Sequence, residues 1–244
     1  MRGKKRVWEI IILMKKKSKR YSEAVKGLEK NKVYPLEEAI AGLKKMPCAK
    51  FDETVDLYFN LGVDTKQTDQ FVRGSAVLPH GTGKVLKILV FCKGENERLA
   101  REAGADYVGS QELIDKINSG WLDFDVAIAS PDMMKDLSRL GKVLGPRGLM
   151  PNPKSGTVTT DPVKAINDFK KGKVEFKMDK AANVSVRIGK ASFDEKKLYE
   201  NAQIAIEAVL KVKPAAVKGQ YIKNAVISKT MSPGLRIDWS KFVV

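Results

Sequence analysis

Two stretches of one-sided alternation, far apart in the chain, bracket a stretch with a different rhythm, and this limits the fold more than anything else in the sequence. Val55, Leu57, Phe59, Leu61 and Val63 alternate with Thr54, Asp56, Tyr58, Asn60 and Gly62, the period of two of a strand with one buried face. A strand-like VRGSAVL follows from Val72 to Leu78, and the alternation returns in Val174, Phe176 and Met178, then in Val184, Val186 and Ile188, and in a last strand, QYIKNAVIS. One-sided strands of this kind imply an antiparallel sheet with a solvated face. Between them, from Pro79 onward, the apolar runs VLKILVFC (85–92), ADYVG and DVAIAS (125–130) take turns with helical ENERLAREAG, SQELIDKINSG and PDMMKDLSRL. Strands alternating with helices imply parallel strands joined by crossover helices.

The expected fold class is therefore α+β and α/β. A split α+β domain with an antiparallel sheet is expected from residues 1–80 and 173–244, with residues 1–14 an extension, and a three-layer, Rossmann-like α/β domain from residues 81–172 is inserted into it. Two connections near one point make a natural hinge. Helices are expected over 22–30, after Pro35 with Leu36, Ala39, Ile40 and Leu43 on one face, after Pro162 as far as Gly172, and over 194–211.

The inserted stretch ends in a run, GKVLGPRGLMPNPKSG from Gly141 to Gly156, that holds Lys142, Arg147 and Lys154 and no acid. Its glycines and prolines argue against a regular helix or a central strand. Leu144, Leu149 and Met150 are more than a solvated linker needs, so the run reads as an ordered basic loop.

Lys and Arg number 45 against 29 Asp and Glu, a net charge of +16 that points to a polyanionic partner, nucleic acid before anionic membrane. Residues 1–20 carry nine of the cations against the single acid Glu9, so the rest of the chain is only moderately basic. Residues 1–13 differ in character from the Lys-rich segment beginning at Met14. Met14 as the biological start, with an upstream extension of the reading frame, is the expectation, and an amphipathic arm is the alternative. The apolar run Ile10 to Met14 is too short to span a membrane, so no membrane partner is expected. Cys48 and Cys92 belong to no CxxC pair, which fits a reducing cytoplasm and suggests neither a zinc site nor a disulfide.

Catalytic chemistry finds little to work with. His80 is the only histidine and sits in a PHG turn; GTGK at Gly81 to Lys84 lacks phosphate-loop spacing and precedes a strand; no GxGxxG follows residues 85–92. No catalytic residue, metal or cofactor is expected. An enzyme or nucleotide binder using the inserted unit, and a basic membrane-surface protein, remain as competing classes. From the residues alone, Phe51 beside Lys50 is either a core aromatic at a strand entrance or a ring that stacks on a base, Met231 is either core filler or contact, and Thr230 could hydrogen-bond a 2′-hydroxyl.

The basic run also carries a resemblance. RLGKVLGPRGLMPNPKSGTV (139–158), together with KRYSEA at Lys19, AKFDETV at Ala49, DQFVRGSAVLPHGTGK at Asp69, EAGADYVG at Glu102, GWLDFDVAIASPDMM at Gly120 and SKTMSPG at Ser228, resembles in order the family of large-ribosomal-subunit stalk proteins numbered first in that subunit. The resemblance implies a structural, non-enzymatic part of the large subunit in the cytoplasm, which binds rRNA with its split domain and forms the mobile stalk beside the exit site for deacylated tRNA. In bacterial members it further implies binding to an rRNA-like site on the protein's own messenger RNA and repression of its translation. Carried over, the RNA-binding residues are Lys50, Phe51, Asp52, Glu53 and Thr54, with Asn224, Ser228, Thr230, Met231, Ser232, Pro233 and Gly234. A secondary rRNA or tRNA surface falls on Lys142, Arg147 and Lys154. Ser232 stands where the family usually has Gly, and Asn224 where Ser is common. If that Gly needs positive φ or a close approach to ribose, Ser232 reshapes the contact.

Overall fold

A computed structural model describes residues 18–26, 28–29, 32–47, 49–65, 67–217 and 219–242, with only the backbone of Thr68 and Lys154. The expectations for the N-terminal segment, for Met14 and for Cys48 lie outside the described residues.

In chain order the main elements are α1 (Lys19–Lys26), β1 (Val33–Tyr34), α2 (Leu36–Lys45), β2 (Thr54–Leu61), β3 (Arg73–Val77), β4 (Ile88–Phe91), α3 (Glu95–Glu102), β5 (Tyr107–Gly109), α4 (Gln111–Asn118), β6 (Val126–Ala129), α5 (Met134–Leu137), α6 (Gly141–Leu144), α7 (Pro162–Lys171), β7 (Lys173–Lys177), β8 (Asn183–Lys190), α8 (Glu195–Lys211), β9 (Ile222–Lys229) and β10 (Leu235–Ile237). The fold is mixed helix and sheet, as the alternations imply.

Strands from both ends of the chain make one five-stranded sheet in the order β1-β10-β9-β2-β8, antiparallel except for the parallel pair β1 and β10. Val55, Leu57, Phe59 and Leu61 of β2 are buried against the apolar stripes of α2 and α8, and Asp56, Tyr58 and Asn60 face the other way. β2 ends at Leu61 because the chain must pass close to another backbone: a Cβ on Gly62 would collide with the Gln220 carbonyl, and the Gly62 N–H donates to the Tyr221 carbonyl at 2.7 Å.

β3 and β7 do not join this sheet. They form a separate antiparallel ribbon, Arg73–Val77 against Lys173–Lys177, leading into and out of the stretch between them. That stretch carries a parallel sheet in the order β5-β4-β6. The four residues of β4 are fully buried and divide by parity: Leu89 and Phe91 meet α4 and the helical run from Met133 to Leu144, while Ile88 and Val90 meet Ala100 of α3 and Ala165, Ile166 and Phe169 of α7. A sheet covered on both faces gives three layers, and it explains why this strand reads as a continuous apolar run. The strand is shorter than the sequence implies, since Val85 is 94 % exposed and pairing starts at Ile88.

The basic run corrects one expectation. It opens as a helical turn, α6, because Leu140 and Leu144 are both fully buried in the core below it, and that packing outweighs the low helix propensity of Gly141. The rest is an ordered loop, as expected. Its exit is clasped by Asn152, whose N–H donates to the Thr157 hydroxyl at 2.8 Å and whose carbonyl accepts from the Ser155 and Thr157 hydroxyls at 3.1 Å. The Ala129 N–H then donates to the Thr157 carbonyl at 2.9 Å, stitching the exit to the edge of β6.

Candidate nucleic-acid interface

At one end of the five-stranded sheet, three segments distant in sequence meet around one buried carboxylate. Glu53 is 1 % exposed; its Oε1 accepts from the Ala49 N–H at 2.5 Å and its Oε2 from the Met231 N–H at 2.9 Å. Its carbonyl accepts from the Ala191 N–H at 2.8 Å. A buried carboxylate is costly unless hydrogen-bonded, and here both oxygens are used to hold the loop before β2 against the loop after β9. Glu53 therefore positions the rim, with both carboxylate oxygens engaged inside the protein. Asp52 does a similar job on the surface: its carboxylate accepts from the Ser192 N–H at 3.1 Å and the Ser192 hydroxyl at 2.8 Å. Lys190 completes the bracket by donating to the Thr54 hydroxyl at 3.1 Å.

With the backbone pinned, the side chains sort cleanly. Phe51 is 53 % exposed and Met231 50 % exposed, one on each loop, so neither is core filler. Lys50 and Gly234 are exposed beside them, and Pro233 is buried below the surface. Gly234 is required for close approach, since a Cβ there would lie 2.6 Å from the Val226 Cγ1. Ser232 needs no positive φ, because Ala182 is the sole non-glycine with one among the described residues. Its hydroxyl accepts from the Lys229 N–H at 2.9 Å, closing the turn that begins at Lys229. Thr230 is exposed but not idle: its hydroxyl accepts from the Thr54 N–H at 3.1 Å and lies 3.3 Å from the Thr54 carbonyl. One lone pair is left to receive a donor.

Asn224 and Ser228 lie on the outer face of the sheet, in register with Asn60 and Asp56 of β2, with Ser228 next to Gly234 of the rim and Asn224 away from it. At about 3.3 Å per residue, Asn224 is some ~20 Å from Thr230 along the strand. Asn60 donates to Asn183 of β8 at 2.8 Å, so an asparagine row crosses three strands there. Tyr58, Arg187 and Lys190 share this face without belonging to any motif; their only signal in the sequence is a place on the polar side of an alternation. Tyr58 is 42 % exposed. Burial raises the Asp56 carboxyl above its ordinary value despite the nearby Arg187 and Lys190, and burial beside Asp56 likewise raises the Tyr58 phenol.

Of the cations in the basic run, Arg147 lines a cleft of about 550 Å³ whose lining also includes Thr54, Asp56, Tyr58, Arg187 and Lys190. Lys142 is exposed but does not line that cleft, and the side chain of Lys154 lies outside the described residues.

Comparison with known proteins decides the class. The profile of the Ribosomal protein L1p/L10e family matches residues 43–233, which includes the rim from Ala49 through Pro233. The chain belongs to this family. A curated relative, the Large ribosomal subunit protein uL1 of Persephonella marina (strain DSM 14350 / EX-H1), is 58 % identical over 229 residues, covering 92 % of this chain and 95 % of the relative. As a member of the L1p/L10e family, the chain is a structural ribosomal protein of the large subunit and not an enzyme. Among the described residues no helix is long and apolar enough to cross a membrane.

Proposed function

We propose that this family member binds large-subunit rRNA directly through the rim, with Phe51 and Met231 as contact side chains. The observation that carries this reading is the pair of half-exposed apolar side chains on two loops locked together by Glu53, since a rigid apolar contact beside the exposed Lys50 suits an unstacked base. Lys50 supplies a phosphate contact, and the free lone pair of Thr230 accepts from a 2′-hydroxyl. Asn224 and Ser228 extend the surface along the outer face of β9.

In the cytoplasmic ribosome this binding makes the chain the mobile stalk at the exit site, where it assists release of deacylated tRNA. The same rim represses translation of the protein's own messenger RNA by binding an rRNA-like site. The discontinuous unit of residues 1–80 and 173–244 carries the RNA affinity, and the inserted unit of residues 81–172 swings about the two crossings, presenting Lys142, Arg147 and Lys154 to rRNA or tRNA.

Footprinting of large-subunit rRNA with the purified full chain tests the central statement. One compact protected region, lost on Phe51→Ala and Met231→Ala but kept on Arg147→Ala, is the expected result; protection that follows Arg147 instead would overturn it. For the messenger, the leader RNA should compete with rRNA for the same rim. For the division of labour, a chain joining residue 80 to residue 173 through a short linker should keep rRNA affinity if it folds.

A further inference from the structure

The apolar face of α8 contains one polar residue. Asn201 is 0 % exposed among Leu198, Ala202, Ala205 and Ile206, where a leucine or alanine would pack without any hydrogen-bonding demand. Its amide is fully used. Nδ2 donates to the Gly81 carbonyl at 3.0 Å and to the Ile188 carbonyl at 2.7 Å, and Oδ1 accepts from the His80 N–H at 3.2 Å. The orientation is fixed by the partners, since two carbonyls can only accept and an N–H can only donate. Two of the three bonds go to residues 80 and 81, where the chain first crosses toward the parallel sheet.

The return crossing touches the same point. The Leu78 N–H donates to the Gly172 carbonyl at 3.2 Å, and a Cβ on Gly172, which has φ 105°, would collide with the Gly81 Cα. Beyond this contact the outgoing chain still hugs the sheet at Gly83, which has φ 72° and lies so close to Lys190 and Phe193 that a Cβ would approach them to 2.9 and 3.0 Å, and it comes clear only at Val85, which is 94 % exposed. His80 adds an exposed contact, its Nε2 lying 2.5 Å from the Glu200 carboxylate.

We propose that Asn201 is the fixed bearing of the inter-unit hinge, a conformational device that rests on the swinging-unit reading above. It anchors residues 80 and 81 to α8 and β8, so the inserted unit turns about the Gly81 and Gly172 contact, with the change of backbone angles taken up by the exposed Lys84 and Val85 and by Gly172. Residues 78–81 stay with the five-stranded sheet in every position of the inserted unit.

The test is single-molecule energy transfer in the full chain, labelled at Lys45→Cys and Glu112→Cys with Cys48→Ser, with and without transcribed large-subunit rRNA. Asn201→Leu keeps the volume and removes the bonds, and should widen the distance distribution by about twofold or more, while Glu200→Gln, which removes only the exposed pair, should leave it unchanged. A folded Asn201→Leu protein with the parent's width overturns the bearing and leaves the swinging unit standing. A parent with one narrow distribution unchanged by rRNA overturns the swinging unit and the bearing with it. Should Asn201→Leu fail to fold, hydrogen exchange in the parent decides: the His80 amide should be protected like the α8 core amides both free and rRNA-bound, and exchange as fast as the Val85 amide would overturn the proposal.

Discussion

The rim of the five-stranded sheet and the basic run Gly141–Gly156 are held differently. The rim is held by a buried carboxylate, with Glu53 joining two loops from distant parts of the chain, and it leaves Phe51 and Met231 half-exposed. The basic run is seated by its own buried Leu144 and clasped at its exit by local bonds of Asn152, and it exposes the cations Lys142 and Arg147. On the proposed function, the rim, fixed by a carboxylate between two backbone donors, reads shape, and the basic run, with charges on a packed frame, senses phosphate at longer range and loses that sense in salt.

The largest effect that could break this contrast comes from Glu53→Gln. The amide keeps the shape but has a single acceptor oxygen, so one of the Ala49 and Met231 N–H groups loses its acceptor, and rRNA affinity should fall by about 2–3 kcal/mol. Isothermal titration across a salt series checks it: the loss should persist at high salt, and a loss that vanishes there would mean the rim works by charge after all. Next is Phe51→Ala, which removes a half-exposed ring and should weaken rRNA binding by about 1–2 kcal/mol with little change in melting temperature. A large drop in thermal stability would return Phe51 to a packing role.

A smaller effect is expected from replacing Lys142 and Arg147 together by Ala. Filter binding to isolated rRNA should change by less than about threefold, while the slope of affinity against salt flattens by under about one unit for each phosphate that is no longer neutralised. A fall in affinity equal to that of Glu53→Gln would erase the contrast between the two regions.

The smallest concerns Asp56, in the cleft that Arg147 also lines. Its carboxyl titrates above 3.8 because burial outweighs the attraction of Arg187 and Lys190. A raised folded value means the native state holds the proton more tightly than the unfolded chain, so this contribution to stability is present below pH 3.8 and is lost as pH rises through the folded value. Asp56→Asn should therefore keep or slightly raise stability at neutral pH, by under about 0.5 kcal/mol after solvent screening, and flatten the acid limb of the curve. Denaturant titrations at several pH values measure it, and a clear destabilisation at pH 7 would show that the pairing with Arg187 dominates.

The sequence is most legible where a period is long enough to count. The alternation over Val55 to Leu61 marks the buried face of β2 correctly, and Gly172 marks the end of α7 by its left-handed cap. β1 and β10, at two and three residues, carry no period and are invisible in sequence. The helical turn at Gly141 is hidden because tertiary packing of Leu140 and Leu144 overrides local preference. The residue types of the rim are visible as segments that resemble a family, but their division of roles is not. Nothing near Glu53 in the chain announces that its second oxygen serves Met231, a partner 178 positions away, and a bond between distant segments leaves no local pattern.

That separation sets an order of events during synthesis. β9 lies inside its sheet, between β10 and β2, and its loop supplies the second half of the rim. The parallel sheet and its covering helices come from one continuous run of chain, so they can close while later residues are still being added. A nascent chain that has not yet reached residue 222 has β2 without its central neighbour and Glu53 without Met231. On the proposed function, a translating ribosome therefore meets no competent binder until Met231 has emerged and β9 has joined β2.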